Sequence, residues 1–94
     1  VDFLKRDNVQ IGKENLVVTS SGQHGLDLTG RLFLEPGDVV MLDRPTFAGA
    51  IVAFQMQRPD FVGIDIEDDG SNIAEYRRKI KELLSKKRKI KFIY

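Results

Sequence analysis

Short apolar runs suited to β-strands alternate with longer stretches of helical periodicity along the whole chain. The strand-like runs lie at residues 14–20, 39–42, 61–66 and 90–94, and a helical pattern follows each of the first three. The connections are short, and no internal repeat or low-complexity linker interrupts the order. This β-α-β-α-β-α-β alternation predicts an α/β fold in which helices cover a parallel sheet.

The three predicted helices differ in how much of their surface is apolar. The first begins after Ser20-Ser21 and contains Gly25 and Gly30, which weaken a helix and therefore suggest close packing against them. The second covers residues 47–57 with Thr46 as its expected cap, and it is apolar on most sides, as in a buried helix. Ser71 or Asn72 caps the third, whose apolar stripe consists of Ile73, Tyr76, Ile80, Leu83 and Leu84.

Composition excludes several classes of function. The chain of 94 residues has no cysteine and one histidine, which rules out disulfide scaffolds, thiolate chemistry and multi-histidine metal sites. No apolar run approaches the length of a membrane span, so we expect no membrane partner. The first residues lack the charged start and apolar core of a signal peptide, and we expect a cytoplasmic protein.

The charge is distributed unevenly. Residues 77–94 contain nine Lys or Arg against Glu82 alone, whereas the rest of the chain is acidic. A basic end can bind nucleic acid or an anionic surface. The stretch 77–91 lacks interleaved aromatic residues, and Tyr76 lies on the apolar stripe, so a solvated helix face and its following loop fit better. We therefore expect no nucleic-acid partner.

The loop at residues 19–26 has the strongest signal for a ligand. It joins the carboxyl end of a predicted strand to the start of a helix, where ligands gather in open α/β sheets. Free amide groups and the helix dipole favour an anion there, and small residues let a phosphate approach the backbone. A serine that only caps the helix explains the same residues equally well.

Three ordered motifs resemble one enzyme family. They are residues 15–28, with Thr-Ser-Ser-Gly-Gln-His-Gly at their centre, residues 31–40 and residues 42–50, which contain Asp-Arg-Pro-Thr-Phe. In order and spacing they resemble the fold-type I pyridoxal-phosphate aminotransferases of class I/II, the branch of the 2-aminoadipate, kynurenine and aromatic enzymes. The likeness extends over Asp69-Gly70 to residues 91–94. The resemblance implies a partial three-layer sheet from the large, cofactor-binding domain.

The resemblance also implies site residues. The family's Ser-Gly-Ser-Gln-Gln-Gly loop, which binds the phosphate of pyridoxal 5'-phosphate, corresponds to residues 20–25. Gly22 and Gln23 take the phosphate positions, and Ser21 is exchanged with Gly22 relative to the usual order. Phe47 matches the aromatic residue, usually tyrosine, that stacks on the pyridine ring, and it lacks the phenol hydroxyl. From the residues alone, Phe47 is simply the first apolar residue of a buried helix.

The same resemblance implies a piece of a larger enzyme that uses amino acids and 2-oxo acids as substrates. The family's Schiff-base lysine, its pyridine-binding aspartate and its carboxylate-binding arginine all belong to later segments, so we expect residues 1–94 alone to be inactive. Residues 1–13 would be a lead-in and residues 14–94 a segment of the α/β core. The strand matching 15–20 is separated from the others in the family's sheet. We therefore expect self-association or a loosely ordered N-terminal part.

Two other functions remain open at this stage. A self-contained α/β module could bind a phosphate or nucleotide at Ser20–Gln23. A nucleic-acid or scaffold protein would instead use the basic stretch 77–91, with binding that weakens as salt increases.

Overall fold

The computed structural model describes residues 1–94 as four helices and four strands, with a 3₁₀ turn at Lys13–Asn15. The helices are α1 (Asp2–Lys5), α2 (Gly22–Phe33), α3 (Ala48–Gln55) and α4 (Ile73–Ser85). The strands are β1 (Val39–Arg44), β2 (Asp60–Glu67), β3 (Gly70–Ser71) and β4 (Ile90–Ile93). None of the helices is sufficiently long and apolar to cross a membrane.

The strands form one sheet in the order β3-β2-β1-β4. Strand β1 lies at the centre and pairs in parallel with β2, from Val39 opposite Asp60 to Arg44 opposite Asp65. It also pairs in parallel with β4, and the short β3 runs antiparallel to β2. The predicted parallel arrangement is therefore confirmed for β1, β2 and β4, the strands expected at residues 39–42, 61–66 and 90–94.

Helices cover both faces of the sheet, as the α/β pattern predicted. Helices α2 and α3 pack on one face around Val40, Leu42 and Phe54, while α4 packs on the other around Met41 and Ile64. Residues 39–42 are buried on both faces, which explains why β1 is continuously apolar in sequence. The result is a three-layer arrangement with β1 at its centre.

The strand predicted at residues 14–20 is wrong. Its first residues belong to the 3₁₀ turn, and residues 16–20 form neither helix nor strand. Val17 and Val18 are 77% and 89% exposed. A β-branched run favours an extended backbone, but a strand also needs a hydrogen-bonding neighbour. None of the four strands of the chain lies beside this segment.

The helix caps agree with the sequence in two of three cases. The Ser21 hydroxyl accepts a hydrogen bond from the backbone N–H of His24, and the Asn72 side chain accepts one from that of Glu75. The predicted cap at Thr46 is wrong, because α3 begins at Ala48 and Phe47 occupies the cap position. The Thr46 hydroxyl therefore lies too early in the chain to reach the first free amides of α3.

The close packing expected at the two helical glycines occurs at one of them. A Cβ atom on Gly30 would lie 3.2 Å from Cδ1 of Phe54, because α2 and α3 approach each other closely there. At Gly25 the nearest atom would be the Thr19 hydroxyl at 3.8 Å, an ordinary contact. Gly30 therefore allows the two helices to share one layer.

Candidate functional site

The starts of α2 and α3 meet at the edge where β1 ends. The side-chain amide of Gln23, in the first turn of α2, donates a hydrogen bond of 2.8 Å to the carbonyl of Gly49, in the first turn of α3. The segment that follows β1 leads directly into α3. The carboxyl edge of a parallel sheet is where open α/β folds bind their ligands.

The Phe47 side chain lies against the contact between Gln23 and Gly49. A Cβ atom on Gly49 would lie 2.5 Å from Cζ of the Phe47 ring and would also overlap Oε1 of Gln23. Only glycine therefore allows the ring and the amide to approach each other over α3. Phe47 remains 60% exposed, so much of it is open to solvent. The structure thus brings together Gln23 and Phe47, two of the four predicted site residues.

The remaining two predicted residues, Ser21 and Gly22, form the entry to α2. The backbone amides of Gly22 and Gln23 donate no hydrogen bond within the chain. A Cβ atom on Gly22 would meet nothing within 4 Å, so the space beside these amides is open. Two free N–H groups at the positive end of a helix dipole favour an anion such as a phosphate.

The serine hydroxyls before α2 have local partners. The Ser21 hydroxyl, 3.1 Å from the His24 amide, accepts a hydrogen bond from it and retains its own proton for donation. Ser20 contacts Nδ1 of His24 through both its amide, at 3.2 Å, and its hydroxyl, at 3.1 Å. His24 therefore holds the loop in place, consistent with a polar role at the helix start.

A carboxylate at the end of β1 was missed in the sequence. Asp43 accepts a hydrogen bond of 2.9 Å from the Tyr76 hydroxyl and one of 2.7 Å from the Ser71 hydroxyl. The only signal in the sequence was a tyrosine on the apolar stripe of α4, because a buried phenol needs a polar partner. That partner is 33 residues away along the chain, so local spacing could not identify it.

The next residue along β1 also forms a polar contact. Arg44 donates a hydrogen bond of 2.6 Å to Asp65 on β2, and this contact lowers the pKa of the Asp65 carboxyl. Both side chains are largely exposed to solvent, so the pair adds little to stability.

The Tyr76 hydroxyl gives the fold a dependence on alkaline pH. Burial, followed by the hydrogen bond to Asp43, raises the pKa of Tyr76 to about 12. An unfolded tyrosine loses its proton near a pKa of about 10. We therefore expect a stabilisation of about 3 kcal/mol that is complete below pH 10 and lost as the pH rises through 12. Urea unfolding should show this loss of stability between pH 10 and 12 in the wild type and not in Tyr76→Phe. An equal loss in both proteins would contradict the role given to the Tyr76 hydroxyl.

The basic stretch is partly neutralised by acidic neighbours. Glu82 lies 3.4 Å from Lys86 and 3.6 Å from Lys79, and Arg88 forms an ion pair with Asp60. These contacts lie on the exposed side of α4 and in the loop that follows it. They fit the solvated helix face that the sequence favoured over a nucleic-acid site.

Comparison with known proteins gives a consistent result. The family model for aminotransferase class I and II matches residues 1–94. The chain is 37% identical over 90 residues to aromatic-amino-acid aminotransferase 1 of Thermococcus litoralis. The aligned region covers 96% of this chain and 22% of that protein. The chain thus spans about a fifth of the length of this curated relative.

Solved structures agree with the family match. An archaeal alanine:glyoxylate aminotransferase superposes with a TM-score of 0.90 at 37% identity, over 99% of this chain and 23% of that one. The Pyrococcus horikoshii kynurenine aminotransferase, solved in complex with PMP, superposes with a TM-score of 0.78 at 41% identity. That match covers 81% of this chain and 19% of the other.

Proposed function

Because the chain belongs to the aminotransferase class I and II family, we propose that it provides part of the cofactor site of an enzyme that moves an amino group from an amino acid to a 2-oxo acid. The observation that carries this proposal is the contact between Gln23 and Gly49 beneath the exposed Phe47 ring. It joins a loop suited to a phosphate and a surface suited to a planar ring at one sheet edge.

Pyridoxal phosphate is the cofactor of the intact enzymes of this family. The residues of this chain fit that group, because free amides, open space and an aromatic face occur together. In our proposal the amides of Gly22 and Gln23 and the Ser21 hydroxyl hold the phosphate, and Phe47 stacks on the pyridine ring. When bound, the cofactor supplies an electron sink for chemistry at the amino-acid α-carbon.

The chain by itself is proposed to bind but not to catalyse. Residues 1–94 would form a segment of the large domain, with residues 1–13 as a lead-in and 14–94 as α/β core. None of its eight lysines lies in the two segments that form the site, residues 19–25 and 43–49. An amine nucleophile is needed to attach the cofactor covalently. We therefore expect no transamination by the isolated chain.

Titration with pyridoxamine phosphate tests the proposed site. This probe has an amine in place of the aldehyde, so it cannot form an imine with surface lysines. We expect Phe47→Ala to weaken binding about fivefold, the loss of one aromatic stacking contact of about 1 kcal/mol. Calorimetric titration measures this, with Phe3→Ala as the control because Phe3 is 71% exposed on α1.

The same titration separates the competing functions. Equal affinities for Phe47→Ala and Phe3→Ala would contradict the proposed ring site. A self-contained phosphate module would bind inorganic phosphate as tightly as pyridoxamine phosphate, because the pyridine ring would contribute nothing. The aminotransferase site requires the phosphopyridoxyl compound to bind more tightly.

We also propose that the isolated chain self-associates. Val17, Val18, Leu32 and Met56 are each at least 70% exposed, and an apolar groove of about 330 Å³ runs beside β4, whose outer edge has no neighbouring strand. Unpaired strand edges and exposed apolar side chains favour association.

Sedimentation velocity should therefore give a mass that rises with concentration. Met56→Lys, at the exposed residue that follows α3, should reduce this rise, whereas Gln55→Lys adds the same charge one residue earlier without removing apolar surface. A single monomeric species at all concentrations, with one cooperative thermal transition, would contradict self-association.

A further inference from the structure

Asp43 ties three elements together at the end of β1. One carboxylate oxygen, Oδ1, accepts the hydrogen bond from Tyr76 on α4, and the other, Oδ2, accepts that from Ser71 on β3. The two donors come from opposite ends of the turn into α4. The carboxylate is half-buried, and both of its oxygens are engaged by groups on other elements.

The segment from Asp43 to Gly49 is anchored at both ends. At the far end, the Gly49 carbonyl accepts the hydrogen bond from Gln23. Between these anchors, the Thr46 side chain forms no hydrogen bond, and the Arg44 side chain forms its one hydrogen bond with Asp65 and lies over Gly63. Phe47 lies in this span, and its ring packs over Gly49 and Gln23.

We propose that Asp43 is a positioning residue for the aromatic half of the cofactor site. Asp43 holds the end of β1 to α4 and β3 and so sets the direction in which the chain enters α3. That direction in turn determines the position of the Phe47 ring. The inference rests on the proposed function, because the ring is taken as the surface for the pyridine. The phosphate half of the site lies on α2 and does not depend on this anchor.

A role in general stability would have a different signature. The core of β1 consists of Val39, Val40, Met41 and Leu42, all of which precede Asp43 in the strand. If Asp43 only stabilised the fold, its loss would weaken every ligand contact in proportion. If it positions Phe47, its loss affects binding of the ring and spares binding of phosphate alone.

Two ligands and three variants distinguish these roles. We expect Asp43→Ala to weaken pyridoxamine phosphate binding about fourfold, close to the loss of the whole stacking contact in Phe47→Ala, and inorganic phosphate binding less than twofold. Asp43→Asn should restore most of the affinity, because its amide can accept from Tyr76 and donate to Ser71. Asp69→Ala removes an exposed carboxylate from the neighbouring turn, and it should change neither affinity.

An observation without ligand keeps the inference separate from the proposed function. The side-chain amide resonance of Gln23 reports its hydrogen bond to Gly49, and it should move in Asp43→Ala but not in Asp69→Ala. If the wild-type chain fails to bind pyridoxamine phosphate, the proposed function is overturned, and this resonance alone decides the inference. An unmoved resonance would overturn it, as would an equal loss of affinity for both ligands.

A second variant covers the case in which Asp43→Ala does not fold. Tyr76→Phe keeps the ring in the core and removes only the hydroxyl that reaches Asp43. We expect it to weaken pyridoxamine phosphate binding about threefold with phosphate binding unchanged. Unchanged binding of both ligands, together with an unmoved Gln23 resonance, would overturn the inference.

Discussion

Phe54→Ala is expected to destabilise the chain by about 3–5 kcal/mol, the usual loss for truncating a buried phenylalanine. The Phe54 side chain is 2% exposed and lies between α2 and the sheet. Its ring centroid is 5.6 Å from that of Phe92 and 6.0 Å from that of Tyr94. The ring lies directly against α2 at Gly30, so its removal leaves a cavity between α2, α3 and the sheet.

Hydrogen exchange of the β1 amides measures this effect directly. Protection in Phe54→Ala should fall to that of an unfolded chain, since a small domain has little stability in reserve. Phe3→Ala on α1 should leave protection unchanged, because Phe3 is 71% exposed. Strong protection of β1 in Phe54→Ala would contradict the packing described for this face of the sheet.

The second large effect concerns binding and leaves the fold almost intact. Gly49→Ala places a Cβ atom where the Phe47 ring and the Gln23 side chain now lie. Both groups are exposed to solvent, so they can move aside at a cost of about 1 kcal/mol or less. Their displacement separates the ring from the phosphate loop. We expect the affinity for pyridoxamine phosphate to fall about fivefold, as in Phe47→Ala, because the stacking contact is lost.

The matched control is Gly25→Ala on α2. A Cβ atom at Gly25 makes only an ordinary contact at 3.8 Å with Thr19, and it favours the helix. Its affinity for pyridoxamine phosphate should equal that of the wild type in the same calorimetric titration. Equal affinities for the two alanine variants would show that the close approach at Gly49 has no part in binding.

Much of the fold was predictable because local patterns and tertiary contacts agree. The continuously apolar run at β1 predicted burial on both faces, and Ser21 and Asn72 cap the helices that their positions indicated. The run at residues 14–20 shows the limit of such patterns. Its residue types specify an extended backbone, but a strand also depends on a neighbour, and sequence pattern does not report whether one is present.

The candidate site was predictable only in part. The loop before α2 has a local signal, because small residues precede a helix, whereas Phe47 was indistinguishable from a core residue without the family resemblance. The hydrogen bond from Gln23 to Gly49 spans 26 residues, and that from Tyr76 to Asp43 spans 33. Contacts of this kind depend on how helices pack on the sheet, which residue spacing does not encode.

The central claim is that the starts of α2 and α3 form one phosphopyridoxyl site. Amide and side-chain NMR spectra of the chain, recorded during titration with pyridoxamine phosphate and with inorganic phosphate, test it most directly. Both ligands should shift the amides of Gly22 and Gln23, and only pyridoxamine phosphate should shift the ring of Phe47. Shifts confined to the basic stretch 77–91, with residues 21–23 and Phe47 unchanged, would contradict the claim.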